Sequence, residues 1–312
     1  MPDWGVHCTA TETKREYGMM RPIDMKRQTK VAISLVYYAG LVVLSHLRGM
    51  TGRPFARRLT ILYYHGVSTE QRLSFARQMN ALHRNARVLP ASYRGKLPPG
   101  RTPVAITFDD ALVSVAEIAL PELANYSFHS TVFVPVGWLG RSPGWMMEDN
   151  EVAAGAESPK RADVVMSVEQ LKSLSKSLVS LGSHSLTHPS IVDQDTREAR
   201  LEIEDSRRQL EELTGREILD FSFPYGAHDV PTVAMCRSAG YTSVYSIESQ
   251  GVDTSNREFL RGRTKADPSD GPLEFFLKFN GAYQWTAYTG PFMKALRSLL
   301  GRQSPGVRIL TR

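Results

Sequence analysis

Two short stretches of this 312-residue chain set acidic and imidazole side chains at spacings that hydrolytic chemistry uses. Residues 107–112, TFDDAL, place Asp109 and Asp110 side by side directly after the apolar run Val104, Ala105 and Ile106. Residues 183–190, SHSLTHPS, place His184 and His188 four positions apart. Two imidazoles with one carboxylate form a donor set that suits zinc and similar divalent cations and leaves room for water and substrate. Adjacent carboxylates on an extended backbone point to opposite sides, so one can ligate a cation while the other faces the water beside it. Water beside such a cation has its pKa lowered towards about 7, and a nearby carboxylate can take its proton during attack on a carbonyl. Histidines four apart also occur on metalloprotease helices, but those need a Glu after the first His, and Ser185 stands there. Pro189 biases His188 away from the α region, which predicts a strand-to-loop bend for the pair. One of the two aspartates can also serve as the N-cap of the helix that follows.

These residues need a scaffold that brings them together, and the hydrophobic pattern supplies one. Residues 59–64, 104–108, 130–136, 178–182, 218–223 and 242–246 read as short buried strands. Helical spacing separates them: Leu73, Ala76, Met79 and Leu82 share one face, and further helices are predicted over 112–125, 168–177 and 231–239. The longest helix has an Asp195 cap with Glu198 three residues on, a face of Ala199, Ile203, Leu210 and Leu213, and a stop at Gly215. Regular alternation of strand and helix predicts a parallel α/β sheet, either a barrel or a doubly wound sheet. Both put their chemistry at the carboxyl ends of the strands. His65, Asp109 with Asp110, His184 with His188, and Pro224-Tyr225-Gly226 all follow strand ends, so they should meet on one rim.

Composition narrows the function further. The formal net charge is +6, but basic residues alternate with acidic ones along the chain, so a phosphate-tracking stripe and nucleic-acid binding are not indicated. Cys8 and Cys236 are the only cysteines, which excludes a disulfide framework and a thiolate metal cluster.

At the same residues the sequence resembles the polysaccharide deacetylases, the NodB-homology domain of carbohydrate esterase family four. TFDD is similar to the family's first motif, HSLTH to its second and FPYG to its third, with YYHG preceding them, and the resemblance covers about residues 59–265. It implies a distorted, incomplete (β/α) barrel and metal-dependent removal of acetyl groups from N-acetylated sugars. By position it assigns Asp109 as the catalytic base, Asp110, His184 and His188 as metal ligands, and Tyr225 as donor of a backbone N–H to the oxyanion, with zinc as the expected metal and cobalt or another divalent ion as the alternative.

Two positions depart from the family pattern. The third motif begins with an Arg that steers the base, and here that place holds Ser222; Arg261 or Arg263, in the LRGR stretch, is the candidate replacement. A late Leu-x-His segment carrying the general acid is absent, which leaves His228 and His65 as candidates by location. Pro224, Tyr225, Trp145, Arg261 and Arg263 are the candidate substrate contacts. Trp145 lies in a stretch of about thirty residues after the third strand, together with Trp138, Met146, Met147, Glu148 and Asp149, and a loop of that length is expected to carry function.

The expected function is therefore deacetylation of N-acetylhexosamine units in an oligosaccharide, polysaccharide or glycolipid. The alternatives are a sugar O-acetyl esterase or other amidohydrolase with the same metal site, and an inactive glycan-binding module on the same fold. The expected organisation is a flexible leader over 1–29, an apolar and basic helix with linker over 30–58, the catalytic domain over 59–265 and a helical extension over 266–312. Residues 31–47 are short for a membrane span and flanked by basic residues on both sides. They predict a helix packed on its own domain or in peripheral contact with a membrane, with an anchor or a signal sequence starting at Met25 as alternatives. The corresponding locations are cytoplasmic or membrane-associated, with export or anchoring as the alternative; the oligomeric state is unreadable.

Overall fold

The computed structural model describes residues 22–52, 56–146 and 164–288. Helix α1 (Pro22–Met50) comes first, followed by β1 (Thr60–Tyr64), α2 (Arg72–Asn85), β2 (Ala86–Val88) and β3 (Thr102–Phe108). A π-helical turn, Val115–Ala119, runs into α3 (Leu120–Ala124), then come β4 (Ser130–Val134), α4 (Val168–Ser173), β5 (Val179–Ser183), α5 (Thr196–Thr214) and β6 (Asp220–Ser222). After these come α6 (Val230–Ser238), β7 (Ser243–Tyr245), β8 (Leu260–Arg261), β9 (Thr264–Lys265) and α7 (Pro272–Phe279).

The nine strands among the described residues form one parallel sheet in the order β8-β7-β6-β5-β4-β3-β1-β9, with β2 added to β3. The two edge strands, β8 and β9, are separated in the chain by Gly262 and Arg263 alone. Three residue steps reach at most about 11 Å, so the sheet must curl until its edges nearly meet. It is an incomplete barrel, as expected. Gly262 sits in this seam, where an added Cβ would lie 2.4 Å from the carbonyl oxygen of Glu248, so only glycine lets the backbones approach.

Alternation along each strand sorts side chains into two layers. Leu62, Val104, Ile106, Val132, Leu181, Phe221 and Val244 face outward into the main core with the helices. Ile61, Ala105, Phe133 and Tyr245 fill the barrel interior. The same parity carries Tyr63 to His65, Thr107 to Asp109, and Gly182 to His184, so each chemical residue emerges from an inward-facing row.

Several boundaries differ from the sequence expectation. The helix expected over 112–125 is split into the π turn and α3, with Pro121 at the start of α3, where its missing N–H is tolerated. The helix expected over 168–177 ends at Ser173 because Leu174 is extended, and β5 accordingly lies one residue later than predicted. Strands β2, β8 and β9 were not anticipated; two or three residues carry no periodic signal.

Helix α1 runs 29 residues, beginning inside the stretch expected as a leader; residues 1–21 lie outside the described residues. Tertiary contacts hold its first half. Arg27 bonds Glu274 at 2.6 Å and Asp270 at 3.2 Å, the buried Ser34 hydroxyl accepts from Trp285 Nε1 at 2.9 Å, and Val31 and Tyr38 pack beside Leu277 and Tyr283. From Val42 onward every residue of α1 is exposed. With the earlier start, Met25–Met50 is long and apolar enough to cross a membrane by length and composition, which 31–47 alone was not. Helix α7 and a helical turn at 285–288 occupy the start of the predicted C-terminal extension, and the rest, 289–312, lies outside the described residues.

Candidate active site

The predicted convergence is present. Tyr63, His65, Asp109, Asp110, Trp145, His184, His188, Phe223, Tyr225, Gly226 and Ile247 line one cavity of about 190 Å³ at the carboxyl ends of the strands.

Asp109 ends the β3 row, its N–H donating to Tyr64 O at 2.8 Å. The next two residues, Asp110 and Ala111, have φ of 67° and 47°, so the backbone leaves the extended region at once. This left-handed step cancels the alternation that would send Asp110 to the opposite face, and both carboxylates reach the same cavity. Ser185, His188 and Tyr225 also have positive φ, of 65°, 67° and 57°. Non-glycine residues held there cost of order 1–3 kcal/mol each and cluster at functional sites.

Asp110, His184 and His188 offer ligand atoms that all lie within 4.8 Å of one another, and all three residues are buried. Nε2 of His184 is 3.6 Å and Nε2 of His188 is 3.4 Å from Asp110 Oδ1, too far for good hydrogen bonds. Ligands held tetrahedrally at about 2.1 Å from a cation are about 3.4 Å apart, so these separations suit three donors around one ion. The protonation pattern agrees. His184 Nδ1 lies 2.7 Å from Ser222 O, a carbonyl that can only accept, so Nδ1 carries the hydrogen and Nε2 keeps its lone pair free to ligate a cation beside Asp110 Oδ1. Burial, opposed by the Asp109 charge, holds His184 down at about 4, in its neutral, ligating form. Asp110 Oδ1 is buried without a hydrogen-bond partner, an orphan that a cation would satisfy. The residues fit a divalent metal.

Asp109 has a different partner. Burial alone would raise its pKa, but the Arg263 charge, the nearby His184 and the Arg263 hydrogen bonds outweigh burial and hold the carboxyl at about 2. Arg263 Nη1 donates to Oδ1 at 2.7 Å and Nη2 to Oδ2 at 2.9 Å, a bidentate fork; it also bonds Ser222 Oγ at 2.8 Å, Thr107 Oγ1 at 3.2 Å and Ser246 O at 3.1 Å. The guanidinium lies 4.8 Å from the Tyr63 ring and 5.3 Å from that of Phe133. The cation missing at position 222 therefore arrives from the seam between β8 and β9. Arg261 does not fill this role: it is fully buried, bonded to the carbonyls of Ala91, Tyr93 and Glu258. Neither arginine lines the cavity, so the sequence expectation of substrate contact does not match where they sit.

The remaining candidates separate in the same way. His65 lines the cavity, its ring edge-on to Tyr63 at 5.8 Å. His228 is turned away, with Nδ1 2.8 Å from Gly226 O and its ring over Phe223 at 5.6 Å. Pro224 is buried outside the lining, shaping the turn that exposes Tyr225, whose ring meets that of His188 edge-on at 5.0 Å. Trp145 stacks on His188 at 3.8 Å with 16° between the planes, and Trp138 meets Trp145 edge-on. Of the same loop, Met147, Glu148 and Asp149 lie outside the described residues.

Glu202 on α5 went unnoticed in the sequence. Its carboxylate accepts from the N–H groups of Leu186 and Thr187, both at 2.8 Å, and from Thr187 Oγ1 at 2.6 Å, pinning the loop between the two histidines. Nothing in the local pattern separates this glutamate from the other acidic residues of α5.

Residues 96–244 match the family profile described as polysaccharide deacetylase. The Bacillus subtilis (strain 168) protein YxkH, named for a polysaccharide deacetylase, is 22% identical over 222 residues, 68% of this chain and 72% of its own length. Among solved structures, the Streptococcus pyogenes deacetylase PplD in complex with acetate aligns with a TM-score of 0.58 at 17% identity, over 72% of this chain and 99% of that one. IcaB from Ammonifex degensii aligns with a TM-score of 0.57 at 22% identity, over 73% and 97%. These two similarities show a shared fold.

Proposed function

Since the chain belongs to the polysaccharide deacetylase family, we propose that it is a metal-dependent amidohydrolase removing N-acetyl groups from N-acetylhexosamine units of an oligosaccharide, polysaccharide or glycolipid. One observation carries this reading: a buried carboxylate clamped by an arginine stands in the same small cavity as a complete Asp-His-His donor set.

Asp110, His184 and His188 would hold the cation, zinc by their donor chemistry, with cobalt as an alternative. When bound it supplies Lewis acidity to the acetamide oxygen and to water. Asp109 takes the proton of the attacking water. Its low pKa makes it a weak base, so it depends on that water being acidified, and the Arg263 fork keeps it ionised and fixed in direction. The Tyr225 N–H supports the developing oxyanion, presented by the positive-φ turn after Phe223. His65, across the cavity, gives a proton to the departing amine. Tyr225 and Trp145 form aromatic walls against which a sugar face can stack.

Acetate release from N-acetylglucosamine oligomers tests the reading, with zinc-loaded protein set beside chelated protein and Asp109→Asn. Release lost in both controls is the expected result. Release only from O-acetylated sugars moves the activity to an esterase, and stoichiometric metal binding without any release refutes hydrolysis altogether.

A further inference from the structure

The catalytic cavity is the first of three that adjoin one another along the rim. A second, of about 470 Å³, opens between the first turns of α1 and the end of β9, and Ile247 lines both. Five basic side chains, Lys26, Arg27, Lys30, Lys265 and Lys278, face three acidic ones there. Two of the five are committed. Lys278 Nζ lies 2.7 Å from both oxygens of Asp270 and 3.2 Å from Glu274, while Arg27 bridges the same two carboxylates. Lys26, Lys30 and Lys265 take part in no salt bridge among the described residues, and Asp267 is the one carboxylate left to face them. The second cavity thus carries a positive surplus.

The third cavity, of about 760 Å³, adjoins the second across Arg27, Ser269 and Glu274, which line both. Its remaining wall is largely apolar: Val31, Ala32 and Leu35 from α1 and Pro272 and Leu273 at the start of α7. Leu35 and Leu273 are 45% and 49% exposed, and Val36 and Val43, further along α1, are 74% and 60% exposed.

We propose that the three cavities take one substrate: an N-acetylated sugar in the first, joined through a phosphate in the second to a lipid chain in the third. The order of chemistries along the rim is the argument. A phosphate needs cations that are not already neutralised, an alkyl chain needs an apolar furrow, and they occur in that sequence outward from the catalytic residues. The exposed apolar residues further along α1 fit the same source, a lipid held in a bilayer. The assignment rests on the deacetylase reading and narrows its substrate to a glycan carried on a lipid phosphate.

The test compares kcat/KM of the zinc-loaded full chain for methyl N-acetylglucosaminide, N-acetylglucosamine 1-phosphate and the farnesyl phosphodiester of that sugar. We expect about a tenfold gain on adding the phosphate and about a tenfold further gain on adding the farnesyl chain. The double variant Lys30→Glu with Lys265→Glu should remove the first gain, and Leu35→Gln with Leu273→Gln the second, each leaving the methyl glycoside unaffected. Equal kcat/KM for all three substrates overturns the proposal, and a gain from phosphate with none from farnesyl overturns the lipid source. If none of the three releases acetate, the deacetylase reading has failed, and calorimetric titration with farnesyl phosphate then decides the groove by itself. Saturable binding weakened about tenfold by the lysine pair of substitutions supports the site, and no saturable binding overturns it.

Discussion

Replacing Arg263 by Met tests whether the seam of the barrel holds the catalytic carboxylate. The Arg263 side chain is fully buried and that of Asp109 is 5% exposed, so neither charge has water to fall back on. Removing the guanidinium leaves Asp109 buried and uncompensated, and strips Ser222 Oγ, Thr107 Oγ1 and Ser246 O of a donor. Breaking a buried pair from one side costs about 3–5 kcal/mol, and Asp109→Asn, which strands the arginine, should fall in the same range. The double variant has no buried charge at this position and should be destabilised by clearly less than the sum of the singles, giving a coupling energy of at least about 2 kcal/mol. Urea unfolding of the four metal-free proteins at one pH measures the cycle. Arg263→Met should also lower acetate release by more than about 100-fold, because a displaced base loses its attack geometry. Arg263→Lys should keep part of the stability, losing the bidentate fork while retaining the charge. Additive single effects, or an Arg263→Met protein within about 1 kcal/mol of wild type, would refute the view that this pair positions Asp109.

Asp220, buried under the Tyr245 hydroxyl at 3.2 Å, is pushed up to about 6 by burial. Its folded pKa lies above the unfolded value near 4, so stability is highest below pH 4 for this group and falls as pH rises to 6, by about 3 kcal/mol. Asp220→Asn should flatten that slope, read from urea midpoints of chelated protein between pH 4 and 7. Glu202→Ala releases the loop between His184 and His188 and should weaken zinc binding about tenfold, measured by competition with a chelating dye, while leaving the secondary structure unchanged. Gly182→Ala places a Cβ 2.5 Å from the Phe133 ring and 3.0 Å from Asp220 O inside the barrel, and overpacking of that kind should cost about 1–3 kcal/mol in urea unfolding. An unchanged midpoint would mean that the interior layer repacks.

Much of the architecture is written locally. Buried runs such as 104–108 and capped helices such as α5, with Asp195 accepting at its start and Gly215 at φ 64° closing it, follow from periodicity and end chemistry. From these the alternation, the parallel sheet and the rim at the strand exits could be read, and with them the grouping of Asp109, Asp110, His184 and His188. The choice between Arg261 and Arg263 could not. The two residues stand two apart in LRGR, on inward-facing positions of one short seam, and local sequence makes them equivalent. Curling of the sheet brings the seam against β3 and β6, so that Arg263 meets Asp109 and Ser222 while Arg261 ends among the carbonyls of 91, 93 and 258. Separation of His65 from His228, the hold of Glu202 on the histidine loop, and the docking of α1 through Arg27 onto α7 were decided in the same way. Each depends on a partner between 15 and about 250 positions away, or on which way a turn points a ring, and pairings of that range exist only after the sheet has closed.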